Sequence, residues 1–171
     1  MAALVAAIIP ARGGSKRLSR KNIHPVAGLP MLAWSIRACR ASRRITDVFV
    51  STEDAEIAAI ARAEGATVVD RPLELATDEV YKQDAIVHAL DALERQGRRF
   101  DLVCSVQANS PELTPQHLDA LARLGPSPLH RRSFAPIAQY SMFPPTGPLG
   151  PAHEIEAAAP ESPAVAGALI R

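Results

Sequence analysis

Near the start of the chain six apolar residues stand in a row, Leu4-Val5-Ala6-Ala7-Ile8-Ile9, and end at Pro10. A strand with one face in water alternates apolar and polar residues. An unbroken run of this length suits a strand covered on both faces, as in a parallel sheet between helix layers. Pro10 fits the end of such a strand, where it has no ladder partner to lose. Directly after it, residues 11–22 (Ala11-Arg12-Gly13-Gly14-Ser15-Lys16-Arg17-Leu18-Ser19-Arg20-Lys21-Asn22) hold five cations and no acid. Two adjacent glycines let the backbone turn tightly and bring its N–H groups close to a ligand. Ser15, Ser19 and Asn22 add neutral hydrogen-bonding groups. A pliant basic loop at the end of a buried strand suits a polyphosphate, provided its cations are not tied up by carboxylates from elsewhere in the chain. The alternative for the same residues is a solvated basic loop. The spacings G-x-x-x-x-G-K-[ST] and G-x-G-x-x-G are both absent from it.

Up to about residue 124 the chain alternates short apolar runs with amphipathic stretches. Met31 to Ala41 reads as a helix with Leu32, Ile36 and Cys39 on one stripe and Pro30 at its first position. Val48-Phe49-Val50 reads as a strand. Asp54 to Glu64 reads as a helix that buries Ile57, Ile60 and Ala61 and is stopped by Gly65. Thr67-Val68-Val69 is a third strand, Lys82 to Gln96 a longer helix with Ile86, Leu90 and Leu93 inward, and Leu102 to Val106 a fourth strand. Thr114-Pro115 opens a further helix with Leu118, Leu121 and Ala122 inward. This alternation implies right-handed βαβ units, and so an α/β fold of the Rossmann-like type: a mainly parallel sheet sandwiched by helices. Ligands of such sheets bind beyond the carboxyl ends of the strands. That selects residues 12–22, 51–54, 70–78 and 107–111, where the unusual polar residues of the chain are gathered.

Each of these loops has a structural alternative. Ser51-Thr52-Glu53-Asp54 can cap the helix after it. Arg71 can face a ligand or pair with Asp70 or Asp78 as scaffolding. Gln107-Ala108-Asn109-Ser110-Pro111, taken alone, is a turn before a helix.

The stretch from Pro10 to Arg17, P-A-R-G-G-S-K-R, and then Lys21-Asn22, resembles the N-terminal signature of the acylneuraminate cytidylyltransferases (CMP-sialic acid synthetases), which activate acidic sugars. The resemblance continues at Val50 to Asp54, with Glu53 in place of an Asp, and at Arg71 to Asp78, R-P-L-E-L-A-T-D. In Q-A-N-S-P, Gln107, Ser110 and Pro111 match the family's Q-P-T-S-P while Ala108 and Asn109 do not. Glu112-Leu113 then replaces Leu-Arg, and Val80-Tyr81-Lys82 stands where many relatives carry small residues near the base. The likeness covers about Ala2 to Leu124. It implies the nucleotide-diphospho-sugar transferase version of the fold. It also implies transfer of CMP from CTP to an acidic nine-carbon sugar, with release of pyrophosphate. On this likeness Arg12, Lys16 and Lys21 are the catalytic cations. Gly13, Gly14, Ser15, Asn22, Arg71, Asp78, Gln107 and Ser110 bind the nucleotide and its acceptor. Mg²⁺ is the expected cofactor, and a homodimer is among the expected states. The family's metal-binding aspartate cluster lies in its C-terminal part, and no D-x-D follows residue 124 here. The competing expectation is therefore a truncated, nucleotide-binding relative that does not catalyse.

A net charge of +1 and a pI of about 7.9 argue against a general nucleic-acid binder, and 4% aromatic content leaves few stacking platforms for single strands. Cys39 and Cys104 fall in apolar patterns and read as buried, inert thiols. The five histidines show no metal spacing. With no signal-peptide pattern and no run long enough to cross a membrane, the cytoplasm is the expected compartment. After Leu124 the composition changes: only four of the 15 prolines precede Ser110. The expected division is a nucleotide-binding domain over residues 1–124 and a Pro/Ala-rich tail over 125–171.

Overall fold

The computed structural model describes residues 3–14, 20–124 and 137–139. In order these form β1 (Val5–Pro10), β2 (Pro25–Val26), β3 (Leu29–Pro30), α1 (Met31–Ala41), β4 (Asp47–Thr52), α2 (Ala55–Ala63), β5 (Thr67–Asp70), α3 (Lys82–Arg95), β6 (Leu102–Ser105), α4 (Pro115–Leu124) and β7 (Ile137–Gln139). Five strands make one parallel sheet in the order β5-β4-β1-β6-β7. The expected α/β architecture is the observed one.

β1 lies in the middle of the sheet, with Ile9 opposite Val50 and Ala7 opposite Cys104. Its apolar run is continuous because both of its faces are core. Val5, Ala7 and Ile9 pack in one cluster with Leu32, Ile36, Ile57 and Leu118. Ala6 and Ile8 pack in the other with Phe49, Ile86, Leu90 and Leu93. The period of two along the strand thus divides one sequence run between two helix layers.

From β1 the chain proceeds outward to β4 and β5 on one side, then returns to β6 and β7 on the other. The order reverses between β1 and β6, and the ends of these two strands form the crevice in which ligands of open parallel sheets are held. Residues 11–22 follow β1, and residues 106–114 follow β6.

Two local features differ from expectation. Pro30 is the residue before α1 rather than its first residue: its ψ of 138° is extended, and it pairs with Pro25 in the β2–β3 hairpin. That hairpin turns through Ala27 (φ 48°) and Gly28 (φ 83°). Strands of two residues, with proline facing proline, leave no periodicity in the sequence to find. Three helices fall within a residue of their predicted limits, the fourth opens at Pro115 as expected, and Gly65 and Gly97 both adopt positive φ just beyond their helices. Of the segment beyond residue 124, the described part is β7, which pairs with β6. Both thiols are free and buried, and burial raises Cys39 far above the ordinary thiol range and Cys104 to about 12.

Candidate functional site

The loop after β1 is tied down at both ends. Ala11 N–H donates to the Ser51 carbonyl at 2.9 Å and so extends the pairing with β4. Buried Asn22 donates its side-chain amide to the Arg12 carbonyl at 2.9 Å, which closes the loop at its base. Gly13 N–H donates to Glu53 Oε1 at 2.7 Å. A Cβ on Gly13 would stand 2.4 Å from Asp54 Oδ2, so only glycine fits there. At Gly14 a Cβ would meet open space. Ser15 and Lys16, with Arg17, Leu18 and Ser19, lie outside the described residues.

Asp54 serves both its own helix and the loop after β1. It caps α2, accepting from Glu56 N–H and Ile57 N–H at 3.0 Å each, and it receives Arg20 Nη1 at 2.5 Å. Arg20 also pairs with Glu56, and its backbone is left-handed, at φ 56°. The Arg20 guanidinium, followed by the two backbone donors, keeps the Asp54 carboxyl below the ordinary range against an opposing desolvation. Arg12 is paired too, with Asp78, and reaches toward the Ala76 carbonyl at 3.5 Å. The condition that the loop cations stand clear of carboxylates is therefore not met by Arg12 or Arg20. Arg20 is scaffolding for the far end of the loop. The Arg12–Asp78 pair is different in kind, because about a third of each side chain is exposed (32% and 35%) and water competes for both.

Arg71 is buried at 7% exposure. It donates through Nε to Ser51 Oγ at 3.1 Å and through Nη2 to the Ser51 carbonyl at 2.5 Å. Neither Asp70 nor Asp78 is its partner in these bonds. Desolvation lowers its pKa, opposed by nearby Glu53 and assisted by Arg12. One Glu53 oxygen, Oε2, is buried with no hydrogen-bond partner among the described residues.

These groups surround a cleft of about 360 Å³. Pro10, Arg12, Gly14, Lys21 and Asn22 line it from the end of β1. Arg71, Leu75, Thr77, Asp78 and Val80 line it from beyond β5, Tyr81, Lys82 and Ala85 from the start of α3, and Gln107, Ala108 and Asn109 from beyond β6. Seven of the expected site residues thus converge: Arg12, Gly14, Lys21, Asn22, Arg71, Asp78 and Gln107. Gln107 is fixed by its carbonyl, which accepts from Ser35 Oγ at 2.9 Å. Gly13 and Ser110 are not part of the lining. Gly13 gives its N–H to Glu53, and buried Ser110 serves the turn before α4, its carbonyl accepting from Leu113 N–H at 3.1 Å.

Lys82, Thr77 and Asn109 line the cleft without having been singled out as site residues. Lys82 and Asn109 fall where the sequence departs from the motifs, which is the signal that marks them. Among the described lining residues Arg12, Lys21, Arg71 and Lys82 are cations, and Asp78 alone is a carboxylate. Such a cavity favours a multiply charged anion. Among the described residues no group of three or more His, Cys, Asp or Glu could hold a metal ion, and the one carboxylate of the cleft is engaged by Arg12. The described donor set does not fit a protein-held divalent ion.

The family described as Cytidylyltransferase matches residues 6–124 of this sequence. The chain belongs to that family. Over 120 residues the chain is 42% identical to N-acylneuraminate cytidylyltransferase A of Danio rerio, covering 70% of the chain and 27% of the relative. It is 38% identical over 119 residues to 3-deoxy-manno-octulosonate cytidylyltransferase of Acidobacterium capsulatum, covering 68% of the chain and 44% of the relative. The chain thus spans between about a quarter and under half of the length of these relatives. The fold is similar to that of a CMP:2-keto-3-deoxy-manno-octonic acid synthetase solved with CTP, with a TM-score of 0.60 at 22% identity over 70% of this chain and 46% of that one. A short stretch has another affinity: 31 residues, 18% of the chain, are 87% identical to part of Ribonuclease HII of Rhizorhabdus wittichii, 15% of that protein. Among the described residues no helix is long and apolar enough to cross a membrane.

Proposed function

We propose that the chain binds CTP in this cleft and transfers CMP to an acidic nine-carbon sugar of the sialic acid type, releasing pyrophosphate. The observation that supports it best is the charge of the cleft at the β1–β6 crevice, four cations to one carboxylate. In the reaction the anomeric hydroxyl of the sugar attacks the α-phosphorus of CTP. The bond from that phosphorus to the bridging oxygen breaks, pyrophosphate carries away the electron pair, and the proton of the attacking hydroxyl passes to water. Negative charge grows on the leaving phosphates, so fixed positive groups aimed there lower the barrier. Arg12 and Lys21, with Lys16 from the same loop, are assigned that task. The open side of Gly14 lets the phosphate chain approach the backbone. Arg71 and Asn22, each immobilised by hydrogen bonds, hold the nucleoside. Asp78 completes that set as the cleft's acceptor, and Gln107 faces the acceptor sugar, with buried Ser110 supporting the turn behind it. Mg²⁺ enters the proposal as a companion of the phosphates, the usual way this ion is carried, and no step is assigned to it.

The Arg12–Asp78 pair does not block this chemistry. An ion pair exposed by about a third is worth at most about 1 kcal/mol, while a triphosphate offers Arg12 several charged acceptors at once. A second reading, a chain that binds nucleotide without transferring it, is favoured by the described donor set, which holds no group of carboxylates fit for a metal ion. Pyrophosphate release from CTP, measured with a panel of acidic sugars, separates the two. Release with a sialic acid-type sugar supports the proposal. Calorimetric CTP binding without release for any sugar supports the second reading, and no CTP binding at all defeats both.

A further inference from the structure

Of the 19 basic residues counted as Lys or Arg, only three are lysine: Lys16, Lys21 and Lys82. Lys16 and Lys21 belong to the loop after β1. Lys82, 61 positions beyond Lys21 in sequence, opens α3 and lines the same cleft. Everywhere else the chain uses arginine for positive charge. The two residues differ physically: lysine is a compact point charge with three rotatable donors, suited to a phosphate or carboxylate oxygen approached from any side.

Where Lys82 stands, its charge gains nothing from the fold. It is half-buried, and burial lowers its pKa with no opposing attraction from an acid. No hydrogen bond or ion pair joins it to another described residue. The titratable and charged groups facing the same cleft are Arg12, Lys21, Arg71, the Tyr81 phenol and Asp78, and Arg12 engages Asp78. At the first position of α3 it also opposes the helix dipole, whose positive end lies there. Tyr81, the residue that caps α3, offers no side-chain acceptor to the helix N–H groups. A half-buried cation at a helix N-terminus, in a cleft whose one carboxylate is engaged by Arg12, gains most when an anion arrives.

We infer that Lys82 is a further binding residue of the nucleotide site, donating its ammonium to an anionic oxygen of the bound ligand. This rests on the proposed nucleotide function, and it adds a fourth cation from a different element to those of the β1 loop and Arg71. The anionic oxygen belongs either to the phosphate chain or to the carboxylate of the acceptor sugar, and the two sources are separable by probe.

The scarcity of lysine makes a direct test available. The full chain is treated with an amine-acylating reagent, and the rate at each of the three lysines is read by peptide mass. This is done alone and with inorganic triphosphate, CTP, cytidine or N-acetylneuraminate. The expected result is protection of Lys82 by CTP and by inorganic triphosphate if it meets the phosphates, or by N-acetylneuraminate if it meets the carboxylate, and none by cytidine. Protection of Lys21 without Lys82, or protection of Lys82 by cytidine, overturns the inference and leaves the nucleotide function standing. Protection of no lysine by any probe overturns both. A second measurement uses Lys82→Met, expected to weaken binding of the protecting anion about tenfold, the loss of one charged hydrogen bond. Its Tm is expected to be equal or higher, because a desolvated charge has gone. A fall in Tm with unchanged anion affinity marks a structural lysine and overturns the inference.

Discussion

Arg71 crosses from the end of β5 to Ser51 on β4, donating Nε to the hydroxyl at 3.1 Å and Nη2 to the carbonyl at 2.5 Å. Ser51 is fully buried, so the hydroxyl has no water to replace the guanidinium, nor the guanidinium water to replace it. Ser51→Ala leaves the carbonyl bond in place and removes one partner of a buried charge, a change that costs about 1–3 kcal/mol. Urea unfolding is expected to show that loss. Calorimetry with CTP is expected to show weaker binding, because a guanidinium held at one point no longer has a fixed plane. A Ser51→Ala chain with both quantities unchanged means that the orientation of Arg71 is set elsewhere.

The Arg12–Asp78 pair spans the mouth of the cleft, between the first loop and the segment before α3. Its carboxylate and a polyphosphate compete for the same guanidinium. Asp78→Asn is expected to change stability by no more than about 1 kcal/mol, since the pair is partly exposed. It is also expected to bind inorganic triphosphate more tightly than the unaltered chain. Arg12→Ala is expected to abolish measurable pyrophosphate release while keeping the Tm within a few degrees. Normal turnover in Arg12→Ala would remove Arg12 from the catalytic set.

The fold was legible because its determinants are local. The doubly buried run at Val5–Pro10, the positive-φ glycines at 65 and 97 and the apolar stripes of α1 and α3 each state their element within a few residues. Convergence of the loops followed from the parallel topology, and that sufficed to bring Arg12, Asn22, Arg71 and Gln107 to one cleft. What the sequence left open were pairings across distance. Arg12 meets Asp78 over 66 positions and Arg20 meets Asp54 over 34, and nothing in the order of residues distinguishes a cation aimed at a ligand from one aimed at a carboxylate. Lys82 was marked only as a departure from the motifs, and its place in the cleft was not legible because its surroundings come from four separate segments.

The two glycines of the loop separate fold from function. A methyl group at position 13 collides with Asp54 Oδ2, which the α2 cap and Arg20 hold in place, so it cannot swing away. Gly13→Ala is therefore expected to lower stability by about 1–3 kcal/mol, in the range of overpacking. At Gly14 the methyl group meets open space at the edge of the cleft. Gly14→Ala is expected to leave the Tm nearly unchanged and to weaken CTP binding, since the added group occupies the phosphate approach. Equal effects of the two substitutions on Tm would contradict the observed packing.

Acid should find Asp54 and Glu64 before it finds the core. Each carboxyl is held below its ordinary range first by a hydrogen bond from an arginine, Arg20 for Asp54 and Arg37 for Glu64. A carboxyl with a depressed native pKa contributes stability above its unfolded pKa, near 4 for these groups, and loses that contribution as the pH falls through the native value. The Tm is expected to hold from neutrality to about pH 5 and to decline below it. Asp54→Asn isolates one share of that decline, because asparagine still caps α2 but cannot ionise. Its Tm is expected to lie below that of the unaltered chain at pH 7 and to approach it in acid. If the two curves run parallel over the whole range, the Arg20–Asp54 pair contributes no pH dependence to the fold.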